Sequence, residues 1–215
     1  MLKKNKLIVF VGPDGSGKTT VINKLISMLP SRKKTLINHI RFNKIPRLGH
    51  LKKILISIFK LKIPDQYKVT KSTLDNPKNL YVYGPSCPVW KIILVLSYEV
   101  LDYLLGYFDV YDSRDEKVII FDRYIYDYYT EKDWCNTPKF FMKFLMKIIP
   151  KPDYIFFMKN EPEVIHKRKK ELVIEDIKIV NTRIKTLLEY ENNFIRIDTN
   201  NTPEQITENI IRLIS

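Results

Sequence analysis

The sequence has few of the residues that build metal and redox centres, with two cysteines and three histidines among its 215 residues. Cys87 and Cys135 have no metal-type or redox-type spacing, which fits a reducing compartment. The three histidines, His39, His50 and His166, are equally scattered. We therefore expect a cytoplasmic protein that has no histidine or cysteine metal centre.

Long apolar runs are also missing. The nearest, residues 92–105, contains Glu99 and Asp102, and no stretch of membrane-spanning length is free of charge. The opening MLKKNK leads into an apolar run that is too short for a secretory signal, so no such signal is expected. The chain has no internal repeat, and its 45% hydrophobic content is enough for a single domain over residues 1–215.

Positive charge is in excess. The 37 basic and 24 acidic residues give a formal net charge of +13. This balance favours anionic partners, which include nucleotides, nucleic acid and membrane surfaces. Charge alone does not choose among them, because lysine-rich surfaces without a specific partner are common.

One glycine-rich stretch, GPDGSGKTT at residues 12–20, fits the phosphate-binding pattern of a glycine, four free positions and Gly-Lys-Thr. The apolar run at 6–11 predicts a buried parallel strand before it. Val21, Ile22 and Leu25 recur at helical spacing, which predicts a helix from Lys18 onward. Strand, glycine loop and helix are the context that the motif requires.

The chemistry of this motif follows from its geometry. Glycines let the backbone turn so that successive N–H groups face one anion, and the helix start adds its own N–H groups. Lys18 would reach the β- and γ-phosphates, while the Thr19 hydroxyl would bind Mg²⁺. A glycine-rich turn that binds nothing is the less favoured alternative. The predicted nucleotide-binding residues are Gly12, Asp14, Gly15, Ser16, Gly17, Lys18, Thr19 and Thr20.

Further strands are predicted at residues 34–41, 117–122, 152–158 and 194–198, with helices between them. This alternation predicts a parallel, doubly wound α/β sheet whose ligands lie at the carboxyl ends of the strands. Asp122 ends one of these strands, where a carboxylate beside the glycine loop would help to hold Mg²⁺.

Two helical stretches carry lysine rows. In residues 51–63 the lysines lie off the apolar face, and in residues 140–149 they recur every fourth position. For residues 51–63, packing on the core with solvated lysines is favoured over a membrane-surface role. For residues 140–149, solvated lysines are expected. The proline-rich loop at 64–88 is assigned to the acceptor side. In the helix at 89–108, Tyr98 and Asp102 share one face. They would either form hydrogen bonds to substrate hydroxyls or lie where the helix meets solvent.

These segments together resemble the thymidylate kinase family of P-loop nucleoside monophosphate kinases. The resemblance lies in VFVGPDGSGKTT, in FDRY at 121–124, in PDYIFFMKNEPEVIHKR at 152–168 and in IDTNNTPEQITENI at 197–210. It implies a P-loop NTPase fold with five parallel strands, helices on both faces, an acceptor-side insertion at about 42–110 and a short lid at about 166–183. SYEVLDYLLGY and FDRYIYDYY are similar to thymidylate-kinase-like proteins of bacterial surface-polysaccharide gene clusters.

The resemblance also implies roles for single residues. Asp14 would touch the sugar hydroxyl of the acceptor, and Arg123 would bridge the acceptor and the transferring phosphate. Arg168 would lie at the base of the lid and supply charge that the glycine loop lacks, while Thr199 and Asn200 would lie near adenine. The expected catalytic residues are Lys18, Asp122, Arg123 and Arg168. The expected acceptor-binding residues are Asp14, Arg41, Tyr98, Asp102, Arg123 and Tyr124.

The chain departs from the family on the acceptor side. The family carries Arg-Glu-Pro-Gly-Gly after its second strand, whereas RFNKIP here retains only Arg41. We therefore expect a kinase that moves the γ-phosphate of MgATP to a small, nucleoside-monophosphate-like acceptor other than plain dTMP.

Two other functions stay open. One is a kinase for a sugar-type precursor of a surface polysaccharide. The other is a nucleotide-gated binding protein whose basic face holds nucleic acid or membrane. No sequence-specific nucleic-acid partner is expected, peripheral membrane contact is less favoured, and a homodimer is left open.

Overall fold

The computed structural model of the chain describes residues 5–29, 34–38, 89–111, 117–122, 124–130, 137–170 and 173–214. Arg41, Arg123, the helix predicted at 51–63 and the loop predicted at 64–88 lie outside these ranges. The described elements are, in chain order, β1 (Asn5–Val11), α1 (Lys18–Met28), β2 (Lys34–Asn38), α2 (Val89–Tyr111), β3 (Lys117–Phe121), α3 (Asp127–Thr130), α4 (Lys139–Ile148), β4 (Tyr154–Lys159), α5 (Pro162–Arg168), α6 (Ile174–Leu188), β5 (Phe194–Asp198) and α7 (Pro203–Ile214).

The strands form one sheet in the order β2-β3-β1-β4-β5, and each neighbouring pair is parallel. In the centre, Val9 pairs with Phe121 of β3 and Val11 pairs with Phe157 of β4. The prediction of an α/β fold with a parallel sheet flanked by helices is therefore confirmed.

The side chains of β1 alternate between two hydrophobic clusters, because successive residues of a strand point to opposite faces. Leu7, Val9 and Val11 belong to one cluster, together with residues of α2, α4 and α6. Ile8 and Phe10 belong to the other, together with residues of α1 and α7. Burial on both faces explains why β1 is a continuous apolar run rather than an alternating one.

The start of β4 differs slightly from the prediction. The strand begins at Tyr154 rather than at Pro152, since proline has no N–H to donate to a strand ladder. The residue between them joins β1 instead: the Asp153 N–H donates to the Leu7 carbonyl at 2.7 Å, and the Leu7 N–H donates to the Asp153 carboxylate at 2.8 Å.

The strand order creates a crevice at one edge of the sheet. The strand that follows β1 in the chain, β2, lies on the β3 side of it, whereas β4, which follows β3, lies on its other side. The strand order therefore switches at β1. In open parallel sheets, ligands bind at the carboxyl ends of strands where the order switches in this way. The glycine loop at 12–17 follows β1, and Asp122 follows β3, so both reach this crevice. Within the described ranges, no helix is long and apolar enough to cross a membrane.

Candidate active site

The glycine loop, defined as residues 12–17, joins β1 to α1 through left-handed backbone conformations. Gly15 has φ 87° and Gly17 has φ 92°, a region that residues with a Cβ rarely adopt. Gly17 is also the N-cap of α1, and no side chain caps the helix start. The first turn of α1 lines the cleft, so its N–H groups and positive dipole end are placed to attract an anion.

The Lys18 ammonium is held against the glycine loop. Its Nζ donates to the Gly12 carbonyl at 2.7 Å and to the Pro13 carbonyl at 3.0 Å. The Asp14 carboxylate lies 3.9 Å from the same nitrogen. Lys18 is only 7% exposed, but these carbonyl and carboxylate oxygens compensate its positive charge. The ammonium group therefore lies beside the first turn of α1.

Thr19 and Asp122 meet although they are 103 positions apart in the chain. The Thr19 hydroxyl donates to the Asp122 carboxylate with an oxygen–oxygen distance of 3.0 Å. Hydroxyl and carboxylate oxygens are the ligands that Mg²⁺ prefers, and it commonly uses one or two carboxylates together with substrate phosphates. The described residues contain no group of three or more His, Cys, Asp or Glu that could hold a metal by itself. The donor set thus fits a cation that arrives with phosphates.

Two adjacent basic residues at the end of α5 point to different parts of the cleft. The Arg168 guanidinium donates to the Thr199 carbonyl at 3.3 Å, beside the end of β5. The Lys169 Nζ lies 4.0 Å from the Asp14 carboxylate in the glycine loop. Both side chains line the cleft, so Lys169 is the cation next to the loop and Arg168 is the one next to β5.

Gly15 allows α5 to approach the glycine loop closely. A Cβ built on Gly15 would lie 3.0 Å from the Lys169 Cβ and 3.2 Å from the Ile165 carbonyl oxygen. The second contact is to backbone, which cannot move aside as a side chain can. A side chain at position 15 would therefore push the end of α5 away from the loop.

The turn after β5 forms the opposite wall. The Thr199 N–H donates to the Lys159 carbonyl at 3.0 Å, and the Asn160 amide donates to the Thr199 hydroxyl at 3.0 Å. These bonds join the ends of β4 and β5. Thr199 and Asn201 line the cleft, whereas Asn200 is not among its lining residues. That Thr199 lies near adenine stays a prediction. The Asn200 N–H instead donates to the Asp198 carboxylate at 2.9 Å, which sets the turn.

The cleft has a volume of about 680 Å³. This lies within the range of small-molecule sites, roughly 300–1,000 Å³. The lining combines the polar glycine loop with apolar surface from α7. Its lining comprises Asp14, Gly15, Ser16, Gly17, Lys18, Thr19, Thr20, Val21, Asp122, Met158, Arg168, Lys169, Thr199, Asn201, Pro203 and Ile206.

The predicted acceptor residues of α2 are buried and do not line this cleft. Tyr98 and Asp102 are each less than a tenth exposed, as is the neighbouring Glu99. Burial, reinforced by the carboxylates of Asp102 and Glu99, raises the pKa of Tyr98 to about 12. Its phenol therefore keeps its proton at neutral pH.

Tyr124, also predicted to contact the acceptor, lies in the core. Its hydroxyl donates to the Pro150 carbonyl at 2.6 Å and accepts a bond from the Tyr103 hydroxyl at 3.2 Å. The ring is 1% exposed and belongs to the cluster on the α2 face of the sheet. These contacts give Tyr124 a structural role, and its contact with the acceptor stays a prediction.

Among the residues that the sequence prediction missed are Asn160, which donates to the lining residue Thr199, and Asn201, which lines the cleft. Asn160 follows a buried strand, which is the same signal that singled out Asp122, so it could have been found. Asn201 carries no such signal, because a turn decides which of two adjacent asparagines faces the cleft. No protein-family model and no curated protein matches the sequence, and the resemblance to thymidylate kinases stays a prediction.

Proposed function

We propose that this chain is an ATP-dependent phosphotransferase of the P-loop kinase type. In the proposed reaction, an acceptor oxygen replaces the β–γ bridging oxygen on the γ-phosphorus, and ADP leaves. The observation that supports this most strongly is the 3.0 Å contact between the Thr19 hydroxyl and the Asp122 carboxylate. It joins the start of the helix after the glycine loop to the end of the neighbouring strand, and a chance glycine turn does not require that pairing.

In this proposal, different residues of the cleft bind the phosphates, Mg²⁺ and the adenine. The glycine loop and the first turn of α1 bind the phosphates through backbone N–H groups. Lys18 can exchange its loop carbonyls for phosphate oxygens, because its Nζ is already at the loop. Thr19 and Asp122 would hold Mg²⁺, which orients the phosphates and neutralises their charge when it is bound. The apolar surface formed by Pro203 and Ile206 would bind the adenine.

Positive charge near the transferring phosphoryl group would come from the end of α5. The glycine loop has Pro13, Asp14, Gly15 and Ser16 at its free positions and so contributes no cation of its own. Phosphoryl transfer develops charge that positioned cations stabilise. Lys169, 4.0 Å from the Asp14 carboxylate, is the cation at the end of α5 that lies beside the loop.

The proposal is tested by measuring ADP release from MgATP with a panel of acceptors. The panel contains the nucleoside monophosphates, including dTMP, together with free sugars and sugar phosphates. We expect one acceptor class to stimulate ADP release strongly. We expect dTMP to be a poor substrate, because only Arg41 remains of the Arg-Glu-Pro-Gly-Gly segment that binds the acceptor in thymidylate kinases. If no acceptor stimulates ADP release and MgADP does not bind, the kinase proposal is wrong. Nucleotide binding without any transfer would favour a nucleotide-gated binding protein.

A further inference from the structure

The outer half of α4 carries two parallel rows of exposed side chains. Phe140, Phe144 and Ile148 follow one another at four-residue intervals and are 74%, 56% and 45% exposed. A row of exposed lysines runs beside them: Lys139, Lys143 and Lys147. Residues four apart on a helix are displaced by only about 40° around its axis. Each row therefore forms a continuous stripe, one apolar and one positively charged.

The apolar stripe is not the side of α4 that packs on the domain. Met142 and Leu145 occupy that side and are buried in the core. Phe141 packs against the same core, and its ring stacks on Phe144 with 6.4 Å between the ring centroids. The helix is thus fixed to the domain by its inner side, and its exposed aromatic residues are held outward.

Large exposed apolar side chains in a contiguous row mark interaction surfaces, whereas single scattered ones do not. The neighbouring lysines define the charge of the partner. No acidic residue occurs in α4, and no salt bridge joins these lysines to a carboxylate in the described ranges. We propose that the outer face of α4, residues 139–148, docks on the surface of a bilayer that contains anionic phospholipid.

A bilayer surface complements both stripes at once. Phenylalanine and isoleucine side chains enter the boundary between headgroups and acyl chains, while lysines pair with anionic headgroups. A second copy of the chain would bring two lysine rows together with no carboxylate from either α4. A nucleic acid would pair with the lysines but would leave the aromatic row in water. The proposal does not depend on the activity of the cleft.

The test is co-sedimentation of the full-length protein with lipid vesicles. One set contains only phosphatidylcholine, and in the other about a third of the lipid is phosphatidylglycerol. We expect binding to the anionic vesicles and little to the neutral ones. The K139Q/K143Q/K147Q variant should bind about 10²-fold more weakly, since each lysine contributes about fivefold near an anionic surface. The F140Q/F144Q variant should lose at least about tenfold through lost apolar contact.

A matched control removes the same charge elsewhere. Lys159, Lys178 and Arg212 are exposed on other elements, so the K159Q/K178Q/R212Q variant should keep much of the vesicle binding. Circular dichroism melts establish that each variant is folded, as expected for exposed positions. Equal binding to neutral and anionic vesicles would overturn the proposal, as would full binding by F140Q/F144Q. The proposal would also fail if F140Q/F144Q left vesicle binding unchanged and altered only the sedimentation coefficient of the protein without lipid. That result would indicate that the outer face of α4 binds a second copy of the chain.

Discussion

Single residues beside the glycine loop are arranged in pairs that, in the proposed function, would exchange partners when a ligand binds. Lys18 is bonded to loop carbonyls and Thr19 is bonded to Asp122. Lys18 and Asp122 are buried, and a buried polar group without a partner costs about 1–3 kcal/mol, so these bonds stabilise both charges. The same groups are the ones that phosphate and a hard cation would require in the proposed function.

Asp122→Asn tests the cation side of this arrangement. We expect the Mg²⁺ concentration for half-maximal activity to rise by about 10- to 100-fold, because the variant removes a charged ligand while keeping an oxygen that Thr19 can reach. Asp198→Asn is the matched control, since Asp198 ends β5 and is exposed. An unchanged Mg²⁺ titration in Asp122→Asn would remove Asp122 from the metal site.

Lys169 and Arg168 are predicted to differ in kinetic effect although they are adjacent. Lys169→Ala should lower kcat by about 10²-fold or more, as loss of a positioned cation at a transferring phosphoryl group does. Arg168→Ala should mainly raise KM for ATP, since its guanidinium is bonded at the end of β5. Lys170→Ala is the control. If Arg168→Ala alone lowers kcat, the charge belongs to Arg168, as the sequence resemblance implies.

Among elements, the contact between α5 and the glycine loop decides whether these cations reach the phosphates. A comparison of Gly15→Ala with Gly17→Ala separates the effect of this contact from the effect of backbone strain. Both positions have positive φ, but a Cβ at Gly17 meets nothing within 4 Å. Gly17→Ala should therefore cost about 1–2 kcal/mol of unfolding free energy from backbone strain alone.

Gly15→Ala should cost more, about 2–4 kcal/mol, because overpacking against Ile165 and Lys169 adds to the same strain. It should also weaken nucleotide binding, since it displaces α5 from the loop. Urea unfolding of both variants measures the first effect, and titration with MgADP measures the second. Equal unfolding free energies for the two variants would show that α5 does not pack on the loop.

The elements near the site could be predicted from sequence to different extents. Asp122 could be found because a buried strand ends in a carboxylate, and strand ends of a parallel sheet share an edge. The different contacts of Arg168 and Lys169 could not be predicted from the sequence. Adjacent residues at the end of a helix point in different directions, and the packing of α5 determines which side chain faces the glycine loop. Similarly, the four-residue lysine spacing in α4 indicates an amphipathic helix but does not reveal that Phe140 and Phe144 are on its outer side.

At the scale of the whole molecule, buried tyrosines make folding sensitive to alkaline pH. Burial raises the pKa of Tyr98 to about 12 and raises the pKa of Tyr103 and Tyr126 above the usual 10.0 as well. A raised pKa means that the unfolded chain loses these protons first. The stability from their burial is therefore complete below pH 10 and declines as the pH rises toward the folded-state values.

We thus expect cooperative unfolding to begin above about pH 10, with ionisation of tyrosine and loss of helical circular dichroism in the same transition. Tyr126→Phe should make stability less dependent on pH in this range. Tyr190→Phe, which changes an exposed tyrosine, should leave the dependence unaltered. Tyrosine ionisation that is complete well before the loss of circular dichroism would contradict the account.

The measurement that tests the proposed function most directly is acceptor-dependent release of ADP from MgATP by the wild-type chain and by Lys18→Ala. In the proposed function Lys18, the first residue of α1, acts on phosphate charge. It belongs to neither hydrophobic cluster, so the variant should fold and yet lose at least about 10²-fold in turnover. Lys24→Ala, which removes a half-buried lysine paired with Glu204, should retain activity. Turnover in Lys18→Ala equal to that of the wild type would contradict the assignment of this cleft to phosphoryl transfer.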